Sequence, residues 1–299
     1  MHQRALPSQI ARAGRYAFPA LILSNIFLAL GPWMVRLADV GPVAAGFWRL
    51  ALAIPLLLLL ASYGRKSAVR PDRALIVLIV ISGLFFAADL ASWHYGIVRT
   101  KLANATLFGN SSSFLFAMYG FIVMRTLPRR MQAAAFGLAA IGTALMLGGS
   151  YELSARNFAG DLFALLAGFF YALYLIAIDR ARKTLAPMPV LALATVAATL
   201  PLLLFALLLG ETVMPTDWTP LVLLALGSQV AGQGLLVYAM GYLSPVVVGI
   251  TLLMQPAVTA LIGWLAYDEG FSATDLFGAL LICVALVLIR LPGGAEKPA

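Results

Sequence analysis

Long apolar stretches alternate with short polar segments along almost the whole chain. Each stretch has about 20 residues, the length at which an α-helix crosses the hydrocarbon core of a bilayer. The segments between the stretches are too short for a separate soluble domain. The predicted fold class is therefore an all-α polytopic membrane protein. It has ten membrane-spanning helices, called spans 1 to 10: 16–38, 43–62, 74–97, 102–124, 132–149, 158–178, 189–210, 219–241, 245–267 and 275–291.

Basic residues predict the orientation of the spans. With a cytoplasmic N-terminus, most of the 20 Lys and Arg residues fall in cytoplasmic segments, as the positive-inside rule requires. Arg49 lies within span 2, and the basic residues left outside are Arg36, Arg99, Lys101 and Arg156. An even number of spans brings both the tail 1–15 and the tail 292–299 to the cytoplasm. The net charge of +8 thus needs no nucleic-acid partner.

Composition narrows the class further. The chain is 62% hydrophobic and has 11% charged residues, against about 25% charged in soluble domains. Its single cysteine, Cys283, excludes an intrachain disulfide and a Cys-x-x-Cys metal site, and no motif indicates a cofactor. The basic N-terminus followed by an apolar stretch resembles a signal peptide. That stretch is too long for a signal core and is predicted to be retained as span 1.

The segment TLFGNSSSFLF of span 4 places polar residues where hydrocarbon would surround them. At about 100° per residue, Thr106, Asn110 and Ser113 share one face of a helix. Ser111 lies at the flank of this face, and Ser112 points the opposite way. An unsatisfied polar group at that depth costs several kcal/mol, so the face is predicted to line a water-filled cavity. Hydrogen bonding between helices, worth about 0.6 kcal/mol per side chain, is the structural alternative.

Spans 8 and 9 supply further polar groups at a similar depth. Gln229 and Gln233 are four residues apart and stack on one helix face, and Gln255 precedes Pro256 in span 9. A proline inside a helix removes one backbone hydrogen bond. Pro256, and Pro32 of span 1, are therefore candidate hinges, with simple helix bending as the alternative.

Aromatic residues of spans 3 and 6 are candidates for an apolar part of the same site. Tyr171 and Tyr174 are three residues apart on one face of span 6, and Phe85 and Phe86 lie in the middle of span 3. We expect the four rings to hold an apolar or aromatic side chain of a ligand. Ordinary packing between helices is the alternative.

Three ionisable residues lie within the spans. Arg49 and Asp89 each cost roughly 3 kcal/mol or more if buried in the bilayer without a partner. They are predicted to pair with each other or to line an outer vestibule. Asp89 and His94 are also the candidate proton-handling groups, because histidine titrates near neutral pH.

The two halves of the sequence resemble each other at an offset of 143 residues. Matching positions include Phe27 with Phe170, and Tyr95 with Tyr238. Each half contains five spans, an odd number, so the second half enters the membrane in the opposite sense. Inverted repeats of this kind are typical of secondary transporters, whose substrate sites lie at midplane between the repeats.

Specific residues extend this pattern to a known family. The chain resembles the ten-helix branch of the drug/metabolite transporter superfamily, built from two EamA-type repeats, here 16–150 and 158–291. The resemblance is carried by Arg49 in GFWRLALA and, in the last repeat, by Pro256, Glu269 and Gly278. The first repeat departs from the pattern, with Ser113 in place of the proline and Thr126 in place of the acid, and the second repeat lacks the arginine.

The resemblance implies a multi-pass exporter of the bacterial inner membrane. Relatives of this kind export amino acids, including aromatic ones, small metabolites or cationic drugs. We expect a carrier that works by alternating access around a cavity between spans 1, 3 and 4 and spans 6, 8 and 9. The candidate groups for a zwitterionic head are Asn110, Ser111, Ser113, Gln229, Gln233 and Gln255. The expected partners are a small-molecule substrate and the lipid bilayer, and a monomer would suffice.

Other functions stay open at this level. A multidrug exporter of the same fold, a channel and a lipid flippase are compatible with the spans. An intramembrane hydrolase would need Ser111 or Ser112 paired with His94. The surrounding GNSSS sequence lies in mid-helix and lacks the strained turn of a G-x-S-x-G elbow, so no enzymatic activity is expected.

Overall fold

The computed structural model describes residues 14–63, 71–100, 102–125, 127–148, 155, 157–267, 272–289 and 291. Every regular element in these ranges is a helix. The α-helices are α1 Ala17–Ala29, α2 Gly31–Leu37, α3 Pro42–Tyr63, α4 Arg73–Ile97, α5 Leu102–Gly109, α6 Ser111–Met124, α7 Arg130–Gly148, α8 Phe158–Arg182, α9 Pro187–Leu208, α10 Thr219–Leu224, α11 Gly234–Ala239, α12 Pro245–Leu252, α13 Gln255–Tyr267 and α14 Ala273–Leu288. A π-helix, Ala225–Gln233, joins α10 to α11.

The lengths and composition of these helices are those of a membrane protein. Within the described ranges, 6 helical stretches are long and apolar enough to cross a bilayer. They are Ala17–Leu37, Pro42–Tyr63, Arg73–Ile97, Phe158–Arg182, Pro187–Leu208 and Thr219–Ala239. Large apolar side chains such as Leu58, Leu204 and Leu265 are exposed on the helix surfaces, where lipid would cover them. The prediction of an all-α polytopic membrane protein is confirmed.

Span 4 was expected to be a continuous helix, and this expectation is wrong, whereas in span 9 the sequence already predicted a hinge or bend at Pro256. Span 4 is divided at Asn110 into α5 and α6, and span 9 is divided at residues 253–254 into α12 and α13. In span 9 the break precedes Pro256, which has no N–H to continue the helical ladder. The Ala257 amide donates to Met254 instead of Leu253, and Thr143 of α7 donates to the Leu253 carbonyl across 3.5 Å. Each division exposes backbone groups inside the protein rather than in lipid.

Span 1 is divided in a similar way, at Leu30, with Pro32 as the second residue of α2. Both candidate hinge prolines thus follow a break in their span. Pro55 and Pro201 instead lie inside the continuous helices α3 and α9. A proline in this chain therefore does not by itself divide a span.

Spans 3 and 6 pack side by side in opposite directions. The Phe86 ring stacks on Tyr174 with centroids 4.5 Å apart, and Tyr95 meets Phe163 edge-on at 4.7 Å. Residue numbers rise along α4 as they fall along α8, so the two helices are antiparallel.

Spans 1 and 8 form a second antiparallel pair. Ser24 donates to the Gly232 carbonyl at 2.8 Å, and a Cβ at Gly31 would lie 3.2 Å from the Ser228 hydroxyl. The remaining spans pack in pairs, α3 with α9, α6 with α12 and α7 with α14. In the second of these pairs Gly249 brings its backbone against the Ser113 carbonyl, because a Cβ there would approach to 2.7 Å. The six helices of spans 1, 3, 4, 6, 8 and 9 thereby surround the middle of the protein.

One end of the helix bundle is fastened by residues 211–217, called the strap, between α9 and α10. The Glu211 carboxylate accepts from the amides of Val43, at 3.3 Å, and Ala44, at 2.8 Å, in the first turn of α3. The Trp48 indole donates to the Val213 carbonyl at 2.6 Å. The strap therefore supplies an acidic N-terminal cap to α3 and ties this end of span 2 to span 7.

Candidate functional site

A cavity of about 150 Å³ lies between the six central spans and reaches span 2 through Arg49. Its polar lining is concentrated on spans 2, 3, 4, 8 and 9. The lining includes Pro32, Arg49, Phe86, Asp89, Trp93, His94, Thr106, Asn110, Ser112, Ser113, Gly168, Tyr171, Gln233, Leu252, Gln255 and Thr259. We call this space the central cavity.

The break in span 4 places its polar residues on the cavity wall. Thr106, Asn110 and Ser113 line the central cavity, and so does Ser112, which was expected to point away. The Ser112 hydroxyl donates to the Gly109 carbonyl at 3.0 Å. A helix that restarts at Ser111 changes the rotational position of its first turn, and this change brings Ser112 round to the cavity.

Ser111 takes the opposite position and does not line the cavity. Its hydroxyl is buried, has no hydrogen-bond partner among the described residues and lies against Gly168 of α8. A Cβ at Gly168 would also come within 2.8 Å of the Gly109 carbonyl and 3.0 Å of the Phe108 carbonyl. Gly168 thus lets the broken backbone of span 4 pack directly on span 6, and Ser111 belongs to that contact.

The predicted amides of spans 8 and 9 are already engaged within the protein. Gln233 lines the cavity, donates to the Tyr171 hydroxyl at 3.1 Å and accepts from the Tyr174 hydroxyl at 3.4 Å. Gln255 donates to Asn25 Oδ1 of α1 at 3.2 Å. These side chains shape the wall, with most of their hydrogen-bonding capacity used between helices.

Gln229 lies behind the wall, where it holds Arg49. Arg49 donates through Nε to Gln229 Oε1 at 3.1 Å, and Gln229 donates through Nε2 to the Thr195 hydroxyl at 3.0 Å. The guanidinium carbon also lies 5.7 Å from the centre of the Phe86 ring. Arg49 is therefore oriented by a chain of side chains from three spans.

Asp89 and His94 face the cavity beside Arg49. Of the two alternatives predicted for Arg49 and Asp89, a direct ion pair is not formed, and both residues line the cavity. Within the described part of the chain the Asp89 carboxylate has no hydrogen-bond donor. The His94 Nδ1 atom is buried, has no hydrogen-bond partner in the part of the chain that the structure describes, and would lie 3.0 Å from a Cβ at Gly46. The charged groups thus share a small space without neutralising each other by contact.

The four predicted aromatic residues are divided between the wall and the packing behind it. Phe86 and Tyr171 line the cavity. Tyr174 is fully buried between Phe86 and Tyr171, and Phe85 stacks on Phe170 with centroids 6.3 Å apart. The expected slot for a ligand ring is filled by the protein's own rings.

Several residues at the site were not among the candidates taken from the sequence. Trp93 and Thr259 line the cavity, although a tryptophan near the end of a span is more typical of an interfacial anchor. At the end opposite the strap, the Tyr119 hydroxyl of α6 donates to Asp179 of α8 at 3.1 Å. The only sequence signal for that contact is Asp179 itself, an acid near the end of a span and four residues before Lys183.

An all-helical, multi-pass membrane protein with a charged and polar cavity between its spans has the architecture of a membrane transporter. The chain belongs to the EamA-like transporter family, whose model matches residues 16–148 and 158–291. The two matches coincide closely with the two halves that pack around the central cavity.

Comparison with individual proteins agrees with this family. The chain is 24% identical over 280 residues to an uncharacterized transporter of Archaeoglobus fulgidus, covering 93% of this chain and 97% of that protein. A second uncharacterized transporter of the same organism is 23% identical over 274 residues, covering 89% and 91%. A crystal structure superposes with a TM-score of 0.74 over 94% of this chain and 96% of that chain at 17% identity, which shows a shared fold.

Proposed function

We propose that this protein is a secondary transporter that exports small amino acids and related metabolites across the bacterial inner membrane by alternating access. The observation that carries the proposal is the central cavity, whose charged and amide groups are contributed by both family-matched halves. Polar groups at membrane depth are tolerated where they line a water-filled space, and there they mark substrate pathways.

The packing of the two halves supports ten spans in two inverted repeats of five. At the repeat offset of 143 residues, Gly31 of the first half corresponds to Tyr174 of the second half. Phe86 corresponds in the same way to residue 229, the neighbour of Ser228. The contact of Gly31 with Ser228 therefore corresponds to the stack of Tyr174 on Phe86. Both contacts lie between antiparallel helices. A two-fold axis in the membrane plane, passing between the halves, accounts for this correspondence.

The breaks in spans 4 and 9 support alternating access. The same offset of 143 takes Asn110 to residue 253, so the two divided spans are interrupted at equivalent points. Both breaks lie beside the cavity. Rocking of one half against the other would bend the spans at these breaks and at the prolines Pro32 and Pro256. With the N-terminus in the cytoplasm, the strap closes the outer end, and the Tyr119–Asp179 contact closes the inner end.

Cavity size favours small amino acids among the substrates considered. A space of about 150 Å³ is comparable to an engineered cavity that holds benzene, and it is smaller than the roughly 300 to 1,000 Å³ of drug-sized sites. Large cationic drugs are therefore disfavoured as substrates. An aromatic amino acid would require the ring stack of Phe86, Tyr171 and Tyr174 to open.

The geometry also argues against the hydrolase alternative. Ser111 is buried against Gly168, and the Ser112 hydroxyl donates to Gly109. Within the described residues, His94 Nδ1 accepts from neither serine. A nucleophile activated by a base requires such a hydrogen bond.

Reconstitution tests the proposed function. Purified protein in liposomes is expected to show saturable, counterflow-stimulated uptake of L-alanine, weaker uptake of L-phenylalanine and no uptake of a large cationic dye. Replacing Gln233 by Ala removes a wall residue and should reduce alanine transport at least severalfold. Gln132→Ala, a matched change outside the cavity, should not. Linear, non-saturable flux without counterflow would identify a channel and contradict the proposal.

A further inference from the structure

Arg49 and Asp89 are opposite charges that face one small cavity without touching. Each residue is more than nine-tenths buried, with 8% and 9% of its surface exposed. Opposite charges in a low-dielectric interior attract strongly, so a direct pair is the ordinary outcome when both side chains are free to meet. Here Gln229 holds Arg49 through Nε, and Thr195 in turn holds Gln229. The protein thus fixes the cation and leaves the anion without a protein donor in the described ranges.

The amide side chains of the wall are already hydrogen-bonded within the protein. Asn110 donates to the Thr106 carbonyl at 2.8 Å, Gln255 donates to Asn25, and Gln233 is shared by two tyrosines. Among the ionisable side chains at the cavity, the atoms that lack a hydrogen-bond partner in the described residues are the outer nitrogens of Arg49, the Asp89 carboxylate oxygens and His94 Nδ1. A ligand gains most where protein groups are desolvated and unpaired, because binding supplies the missing partner.

We propose that the central cavity is a two-pole site for a small zwitterion, with the ligand carboxylate on the Arg49 guanidinium and its ammonium on the Asp89 carboxylate. The assignment rests on the proposed transport of amino acids and names the groups that select them. A carboxylate can accept two parallel N–H bonds from a guanidinium, which fixes the orientation of the ligand as well as its affinity. The ligand completes the ion pairing that the protein itself does not make.

The two poles make recognition depend on both charges of the ligand. A molecule that carries only a carboxylate leaves Asp89 buried and unpaired, and a molecule that carries only an amine leaves Arg49 in the same state. Either case forfeits a charge-assisted bond and retains the desolvation cost of the other group. We expect singly charged analogues to bind at least about tenfold more weakly than the zwitterion, the factor that corresponds to roughly one charge-assisted bond.

Thermal stabilisation of the purified, full-length protein in detergent measures this selectivity, since a ligand that binds the folded state raises its melting temperature. The probes are L-alanine, the carboxylate-only analogue L-lactate and the amine-only analogue L-alaninamide at equal concentrations. Wild type should respond to alanine at least tenfold more sensitively than to either analogue. Asp89→Asn should lose the preference for alanine over lactate, and Arg49→Gln should lose the preference for alanine over alaninamide.

Two controls separate folding from recognition. Arg49→Lys and Asp89→Glu keep the charges and should keep the preference for the zwitterion with reduced affinity. Arg73→Gln removes an exposed arginine outside the cavity and should leave all three responses unchanged. Each variant is compared after size-exclusion chromatography confirms a folded, monodisperse protein.

The outcomes distinguish this assignment from the proposed transport function. If wild type transports alanine in liposomes but Arg49→Gln and Asp89→Asn retain its affinity and charge preference, the two-pole assignment is wrong and the transport function stands. Equal responses of wild type to alanine, lactate and alaninamide would also overturn the assignment. If wild type neither binds nor transports any zwitterion, both conclusions fail.

Discussion

The Arg49 guanidinium donates through Nε to Oε1 of Gln229 across 3.1 Å, although the two residues are 180 positions apart in the chain. This bond joins span 2 of the first half to the π-helix of span 8 in the second half. Residues of a π-helix often mark functional sites, because the wider turn displaces side chains from their α-helical positions. Here Gln229 of the π-helix positions Arg49, an arginine in the first half of span 2.

Replacing Gln229 by Leu should release Arg49. The change removes an acceptor from a buried cation and a donor from Thr195. We expect a loss of about 1–3 kcal/mol in the free energy of unfolding, measured by thermal melting in detergent. The KM for alanine should rise, because Arg49 would no longer be held at the cavity.

The matched variant Thr195→Val removes only the second bond of the chain. It should have a smaller effect in the same direction on both measurements. A Gln229→Leu protein with unchanged KM would show that Arg49 does not depend on this residue for its position.

Gly168→Ala should destabilise the contact between span 6 and the break in span 4. The added Cβ would meet the Phe108 and Gly109 carbonyls, which are backbone atoms that cannot rotate away. Overpacking of this kind costs about 1–3 kcal/mol, which a melting curve resolves. Gly137→Ala is the control, since nothing lies within 4 Å of a Cβ at that position. Equal melting temperatures for the two variants would contradict the close backbone packing.

Thiol labelling should distinguish the two neighbouring serines of span 4. In a Cys283→Ser background, cysteines at Asn110, Ser112 and Gln233 should react with a water-borne thiol reagent, because these positions line the cavity. A cysteine at Ser111 should react much more slowly, because it lies against Gly168. Excess alanine should slow the labelling of the cavity positions. Complete protection at both Asn110 and Gln233 would exclude a wet cavity.

Asp39 gives the strap a dependence on pH. The Thr216 hydroxyl and the Thr216 and Asp217 amides donate to its carboxylate, and these bonds lower the pKa of Asp39 below its ordinary value of 3.8. A carboxylate with a lowered folded-state pKa stabilises the folded protein above its unfolded-state pKa. That contribution disappears as the pH falls through the folded-state pKa.

The measurement is the difference in melting temperature between wild type and Asp39→Ala at a series of pH values. The difference should be constant near neutral pH and should shrink as the pH falls below about 4. Thr216→Val, which removes one donor and keeps the side-chain shape, should give a smaller difference with the same pH dependence. A difference that grows on acidification would contradict the assigned bonds.

Sequence patterns predicted the helices well because each span is a long apolar segment with polar ends. The membrane forces such a segment to satisfy its own backbone, so length and hydropathy are nearly sufficient. The same reasoning predicted a hinge or bend at Pro256, beside the break at residues 253–254, but it did not predict the break at Asn110. A break depends on partners elsewhere in the fold, such as Thr143 at the Leu253 carbonyl and Gly168 against span 4.

The residues that line the cavity were also predicted only in part from the sequence. Asn110, Gln233 and Gln255 were found because an amide at membrane depth has to face protein or water. Ser111 was predicted near the cavity face and Ser112 away from it, and the structure shows the reverse. The prediction assumed an uninterrupted helix, whereas span 4 restarts at Ser111. Gln229 was expected at the wall, but its bond to Arg49 depends on a contact between halves that no local pattern encodes.

The strap links the electrostatics of the α3 N-terminus to the contact between spans 2 and 7. Glu211 satisfies amides at the first turn of α3 while the ends of spans 2 and 7 stay together. If these ends part during the transport cycle, the amides lose their cap and the positive end of a helix is left to water. If the protein works by the proposed alternating access, this single carboxylate would set an energetic threshold for opening the outer end, and its strength would change the rate of the cycle without altering the substrate that is bound.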